Sequence, residues 1–191
     1  MAYSREELMA AVSAQMPEKR WKHTLGVMET SVKLSKRYGA DPQRAELAAI
    51  LHDVAKYWPA ERQRAVIADN GLTPELLEYD VQLWHAEVGA FVAETEFGIG
   101  DAGVLDAIRY HTSGRPGMSL LEKVVCLADY IEPGRDFKGV DEMRKLAETS
   151  LDEALLAGLD GTIIHLVKKQ KKVFPLTLSA RNDLIKIIGG E

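Results

Sequence analysis

The run Leu47-Ala48-Ala49-Ile50-Leu51-His52-Asp53-Val54-Ala55 sets an imidazole and a carboxylate side by side in a segment that otherwise reads as buried helix. Any fold that buries this run must also satisfy those two side chains. An unpaired polar group in an apolar interior costs roughly 2–7 kcal/mol, and a bare charge costs more. Partners must therefore converge on residues 52 and 53 from elsewhere in the chain. A metal ion shared with further nitrogen and oxygen ligands meets that demand directly. His23, His85, His111 and Asp129 are the co-ligands the sequence offers.

Helical periodicity runs through nearly every other segment, and strand alternation through almost none. A first amphipathic helix is expected over 4–15. A second starts at Pro17, where a fixed φ and a missing N–H are tolerated, and ends at Tyr38 with Gly39 as its cap. A third opens at Asp41-Pro42, carries His52-Asp53 and stops before Pro59. Further helices are expected at about 60–70, 74–80, 85–97, 101–111, 119–131, 140–158, 160–172 and 179–188. Breakers such as Asn70-Gly71, Gly98, Ser113-Gly114-Arg115-Pro116-Gly117 and Pro133-Gly134 separate them. No repeat or long linker divides the 191 residues, so the expected architecture is one all-α domain, 1–191, of about ten helices.

Composition narrows the function classes. A net charge of −5 argues against a nucleic-acid surface, which is usually basic, yet leaves room for a small anionic ligand held by a local metal. The one cysteine, Cys126, excludes an internal disulfide or a Cys-rich zinc module and reads as a buried, inert thiol. No basic-then-apolar leader opens the chain, and no apolar run approaches the ~18 residues that cross a bilayer, so a cytoplasmic protein without membrane contact is expected.

Three motifs fail on context. Gly98-Ile99-Gly100-Asp101-Ala102-Gly103 matches a dinucleotide fingerprint but follows an amphipathic helix rather than a strand. Gly98 reads as a helix C-cap and Asp101 as the next N-cap. His85-Ala86-Glu87 lacks the two cysteines of a zinc deaminase, and no His-Glu-x-x-His exists. His165 has no carboxylate beside it and reads as structural. The run Lys168-Lys169-Gln170-Lys171-Lys172 reads as a solvated helix end.

The order His23, His52-Asp53, Asp129 resembles the signature of the HD-domain phosphohydrolases, in which these four hold one metal. His85 and His111 match the subset that holds a second. Lys19-Arg20-Trp21-Lys22-His23-Thr24, Leu51-His52-Asp53-Val54-Ala55-Lys56, Tyr110-His111-Thr112-Ser113-Gly114 and Ala128-Asp129-Tyr130-Ile131-Glu132-Pro133-Gly134-Arg135 are similar to the YqeK-type symmetrical bis(5'-nucleosyl)-tetraphosphatases. The resemblance covers roughly residues 17–183.

That resemblance implies a core over about 17–135, completed by C-terminal helices, and an iron-dependent hydrolase that splits diadenosine tetraphosphate into two ADP. Asp53 would bridge two metals about 3.5–4 Å apart. His23, His52 and Asp129 complete one site, and His85 and His111 the other. A metal-bound hydroxide then attacks a β-phosphorus in line. Manganese or zinc suits the same donors. Asp53 and Lys56 are the implied catalytic residues, and Arg20, Thr112, Arg135 and Arg181 the implied nucleotide contacts. The rival readings are another HD nucleotide phosphohydrolase, acting on a monophosphate, a cyclic nucleotide or a guanosine polyphosphate, and a non-catalytic nucleotide-sensing module. Trp58 and Trp84 are placed either to pack internally or to meet a second subunit in a homodimer.

Overall fold

A computed structural model describes residues 3–190. It contains α1 (Arg5–Ser13), α2 (Glu18–Tyr38), α3 (Pro42–Leu51), α4 (Ala60–Asp69), α5 (Trp84–Thr95), α6 (Ala102–Arg109), α7 (Leu120–Ile131), α8 (Val140–Leu146), α9 (Leu151–Lys168) and α10 (Pro175–Gly189). Two 3-10 turns, Pro74–Glu78 and Val81–Leu83, join α4 to α5, and there is no strand among the described residues. The all-α expectation holds. None of the helices is long and apolar enough to cross a membrane.

Local chemistry sets many of the ends. Ser4 and Ser119 each form a capping box, with Glu7 and Glu122 respectively. Asp41 accepts from Gln43 and Arg44 N–H ahead of Pro42, and Asp101 from Gly103 and Val104 N–H. The glycine-rich run is therefore a helix junction, as expected. Gly39 closes α2 at φ +85°, a conformation glycine adopts without steric penalty.

Helix α7 is the axis of the fold. It packs against α2, α3, α6, α8 and α9, while α2 also lies along α3 and α5 along α6. Leu121, Val124, Val125, Cys126, Leu127, Ala128 and Ile131 are buried, so α7 is apolar around most of its circumference. Burial drives the Cys126 thiol pKa up, consistent with an inert side chain. Trp58 and Trp84 are buried too, donating to Gln15 Oε1 (3.1 Å) and Leu76 O (2.7 Å), so both belong to the core and neither is open to a second subunit.

Several boundaries differ from expectation. The third helix ends at Leu51, and residues 52–57 continue as tight turns closed by Val54 N–H to Leu51 O and Lys56 N–H to Asp53 O (3.1 and 2.9 Å). The His52 ring takes the Ala49 carbonyl with Nδ1 (2.6 Å), a side-chain bond that competes with the helical ladder. The break expected near residue 159 lies at 147–150, where Ser150 caps α9. Gly158 is instead inside α9, because a Cβ there would sit 3.0 Å from the Tyr130 ring of α7. Helix α10 starts at Pro175 rather than 179, with proline in its first turn. Residues 74–78 form a 3-10 turn rather than an α-helix.

The lysine run differs as well. Lys171 pairs with Asp80 (2.7 Å) and Lys172 donates to Glu78 O (3.0 Å), tying the α9–α10 link to the 3-10 region. His165 is exposed on α9, not packed in the core.

Candidate metal centre

Five elements deliver the six expected ligands to one place. His23 projects from α2, His85 from the first turn of α5, Asp129 from α7, and His52, Asp53 and His111 from turns that follow α3 and α6. Asp53, 2% exposed, is the hub. Its Oδ2 lies 3.0 Å from His52 Nε2 and 3.6 Å from His23 Nε2, and its Oδ1 lies 3.1 Å from His85 Nε2 and 4.0 Å from His111 Nε2. His23 Nε2 is also 3.0 Å from Asp129 Oδ1. Two groups, His23/His52/Asp129 and His52/Asp53/His111, each hold their ligand atoms within 4.8 Å of one another. His85 Nε2, 3.1 Å from His111 Nε2, joins the second.

Tautomers test whether a metal fits. His52 and His111 donate Nδ1–H to the carbonyls of Ala49 and Ile108 (2.6 and 2.7 Å), and His23 donates Nδ1–H to Glu132 Oε1 (3.0 Å). In each neutral ring Nε2 then carries a lone pair aimed at the cluster. Lone pairs at 3.0 Å from carboxylate oxygens repel unless a cation lies between them. His23 Nε2, His52 Nε2 and Asp53 Oδ2 are buried with no hydrogen-bond partner in the protein. Such orphaned atoms are rare in native proteins and call for a ligand. The donor set of imidazoles and carboxylates suits iron, zinc or manganese. His85 is the exception, since Lys56 Nζ lies 3.3 Å from its Nδ1.

Titration behaviour agrees with a centre built for positive charge. Burial opposes ionisation of Asp53, yet His52 and His85 outweigh it and hold the carboxyl well below the usual range. Asp129 is held low in the same way, its burial outweighed by His23, Arg135 and His52. His52 is raised, because Asp53 and Asp129 together overcome its burial, so without metal a proton is drawn to the place a cation would take. His111 is pushed down to about 3 by burial and by the neighbouring His52 and His85.

Glu132 was not assigned a role from sequence. It is buried at the end of α7, its Oε1 orients His23 and its Oε2 accepts from Gly134 N–H. A Cβ on Gly26 would lie 2.5 Å from that Oε2, so the glycine on α2 makes room for the carboxylate. The usable signal was a second acid three residues after Asp129 in an apolar helix, the spacing that places an outer carboxylate behind a ligand.

The expected substrate contacts divide. Arg20 NH1 is 3.1 Å from Asp53 Oδ2, and Thr112 Oγ1 is 3.0 Å from His111 Nε2. Arg135 donates through Nε to Asp129 O (2.6 Å) and through NH2 to Asp129 Oδ1. Lys56 also reaches the cluster, but from a turn, and burial lowers its pKa. Arg181 is not brought there. It sits on α10 with Nε on Asp160 Oδ1 (2.8 Å), because that helix packs on α9 away from the ligands. Two cavities flank the centre. One of about 930 Å³ is bounded by His111, Thr112, Asp129 and α9, and one of about 690 Å³ by Arg20, His23 and Tyr57. Arg135 lines both.

The HD domain family matches residues 20–134. The chain is 52% identical to the symmetrical bis(5'-nucleosyl)-tetraphosphatase of Bacillus subtilis over 95% of its length and 98% of that protein. It is 46% identical to the one of Halalkalibacterium halodurans, over 95% and 97%. A crystal structure of a predicted HD superfamily hydrolase involved in NAD metabolism from Clostridium acetobutylicum superposes with a TM-score of 0.93 at 42% identity, covering 97% of this chain and 98% of that one. Matched along nearly its whole length, and with every residue of the HD signature in the buried cluster, this chain belongs to the HD domain hydrolases and, within them, to the family of the symmetrical bis(5'-nucleosyl)-tetraphosphatases.

Proposed function

We propose that the protein hydrolyses diadenosine tetraphosphate at its central P–O–P bond, consuming one water and releasing two ADP, with iron as its metal. The observation that carries this reading is the set of orphaned buried atoms His23 Nε2, His52 Nε2 and Asp53 Oδ2 beside two guanidinium groups. His23, His52, Asp53 and Asp129 would hold one ion, and Asp53, His85 and His111 a second. The two Asp53 oxygens facing different ligand groups support that division. Metal bound there supplies Lewis-acid polarisation and acidification of a water.

The chain's own side chains do the rest. Arg20 and Arg135 stand beside the ligand carboxylates and present planar forks to phosphate oxygens. Thr112, at the end of α6, offers a hydroxyl to the same group. Lys56 faces the centre from the turn after Asp53, its Nζ 3.3 Å from His85 Nδ1, and supplies positive charge beside it, with burial lowering its pKa. The larger cavity, beyond Thr112 and Arg135, takes one nucleotide half.

The test is to load the protein with iron, add diadenosine tetraphosphate and resolve the products by ion exchange. ADP alone, lost in Asp53→Ala, is expected. ATP plus AMP would mean asymmetric attack and overturn the reading, and absence of turnover by the iron-loaded protein would assign the centre to another phosphorylated nucleotide.

A further inference from the structure

A substrate cut at its midpoint has a nucleoside on each side of the scissile bond, so the bond must lie between two half-sites. The two cavities flanking the ligand cluster share two features, an exposed aromatic ring and a pair of lysines. The larger contains an exposed aromatic ring, Phe137, and two lysines, Lys138 and Lys168. The smaller contains an exposed aromatic ring, Tyr57, and two lysines, Lys19 and Lys22. Arg135 stands at the boundary of both, and His23 opens into the smaller as His111 opens into the larger.

Tyr57 is the telling residue. It is 53% exposed in a segment whose neighbours Ala55 and Trp58 are buried. It directly follows Lys56 in the turn that carries His52 and Asp53, so its backbone is tied to the metal centre. An exposed ring beside cations suits a nucleobase, because every base has a face to stack and its phosphates need positive charge. Lys19 and Lys22 stand out in a chain of net charge −5, although Lys22 shares its charge with Glu18 (2.7 Å) and Glu29 also lines the groove.

We propose that the groove of Tyr57, Lys19, Lys22 and Arg20 is the second nucleotide half-site, with Tyr57 stacking on the base of the distal ADP moiety and the lysines meeting its phosphates. The proposal rests on the tetraphosphatase reading for its substrate. It makes the enzyme's symmetry a property of two unrelated surfaces, one built from α9 and the α7–α8 link and the other from α2 and the turn after α3.

The test titrates the metal-loaded protein with ADP by calorimetry and measures KM for diadenosine tetraphosphate. Wild type is expected to bind two ADP per chain. Tyr57→Ala combined with Lys19→Ala is expected to bind one and to raise KM about tenfold. Tyr57→Phe, which keeps the stacking face, restores both, and Phe137→Ala removes the other ADP instead. A single ADP on wild type, or two ADP and an unchanged KM in the double variant, would overturn the half-site while leaving the hydrolase reading intact. If wild type makes no ADP from the tetraphosphate, the hydrolase reading fails. The stoichiometries then still decide whether the groove binds a nucleotide.

Discussion

Helices α6 and α7 border two buried charge clusters, and the two are closed in different ways. Glu122 is 1% exposed and Asp53 2%. Both Glu122 oxygens have protein partners: Oε1 accepts from Arg115 Nε (2.6 Å), and Oε2 from Arg115 NH2 and Ser119 N–H (3.1 and 2.8 Å). Arg115 continues to Asp106 (3.0 Å), and Asp106 to Arg109 (2.6 Å). That network closes on itself. Asp53 is as deeply buried, and Arg20 and Arg135 approach the cluster's carboxylates, but His23 Nε2 and His52 Nε2 face those carboxylates with no hydrogen-bond partner in the protein. Burial alone therefore does not distinguish a structural charge from a functional one. The distinction is whether the protein itself completes the hydrogen bonding.

Substitutions can break that comparison from either side. The largest effect is expected from Asp53→Asn, which keeps volume but removes the shared charge. Activity should fall at least about a hundredfold, the upper range for loss of an outer-shell partner, and metal content should fall with it while helix content is retained. Metal analysis beside circular dichroism checks this, and full metal content would refute the hub role of Asp53. Glu132→Gln is expected to lower metal affinity or activity by about 10–100-fold, with excess metal recovering part of the rate. An unchanged metal titration would show that His23 needs no outer carboxylate.

On the closed side, Glu122→Gln should cost about 2 kcal/mol of stability, a drop of about 4–8 °C in Tm, and leave kcat unchanged. Its pH dependence is set by sign. Burial opposes ionisation of Glu122, but Arg115 and Ser119 outweigh it and hold the folded-state pKa below the ordinary 4.5. The stabilisation is thus complete above about pH 4.5 and is lost as pH falls through the folded value. The gap in Tm between wild type and variant should be constant near neutrality and close in acid. The smallest effect is expected from Arg181→Ala, whose partly exposed pair with Asp160 lies apart from the cluster; KM should stay within about twofold.

The convergence of the six His and Asp side chains was legible because His and Asp in apolar helices have few ways to be buried, and each such residue declares its need for a partner. Helix ends with side-chain caps, as at Ser119 and Asp101, were legible for a similar local reason. What the sequence did not reveal depends on contacts between distant elements. The helix boundary expected between 158 and 160 is absent, and Gly158 lies inside α9 where it admits the Tyr130 ring. Arg181 lies within the region of resemblance, yet its direction is decided by the packing of α10 on α9. Glu132 is spaced as an outer carboxylate three residues after Asp129, but its hold on His23 depends on the room Gly26 leaves for it on α2. Lys171 and Lys172 likewise gain partners in Asp80 and Glu78 that no local pattern names.

Two of the proposed ligands are anchored to the carbonyls of residues three positions earlier, His52 to Ala49 and His111 to Ile108, at the points where α3 and α6 stop. The rings are thus ordered by the same step that terminates the helices, and little conformational entropy remains to be lost when an ion arrives. Opening of the cluster is then expected to require fraying of those two helix ends. Hydrogen exchange at Val54 and Gly114, whose N–H groups close the turns beyond those ends, would report the rate at which the centre opens.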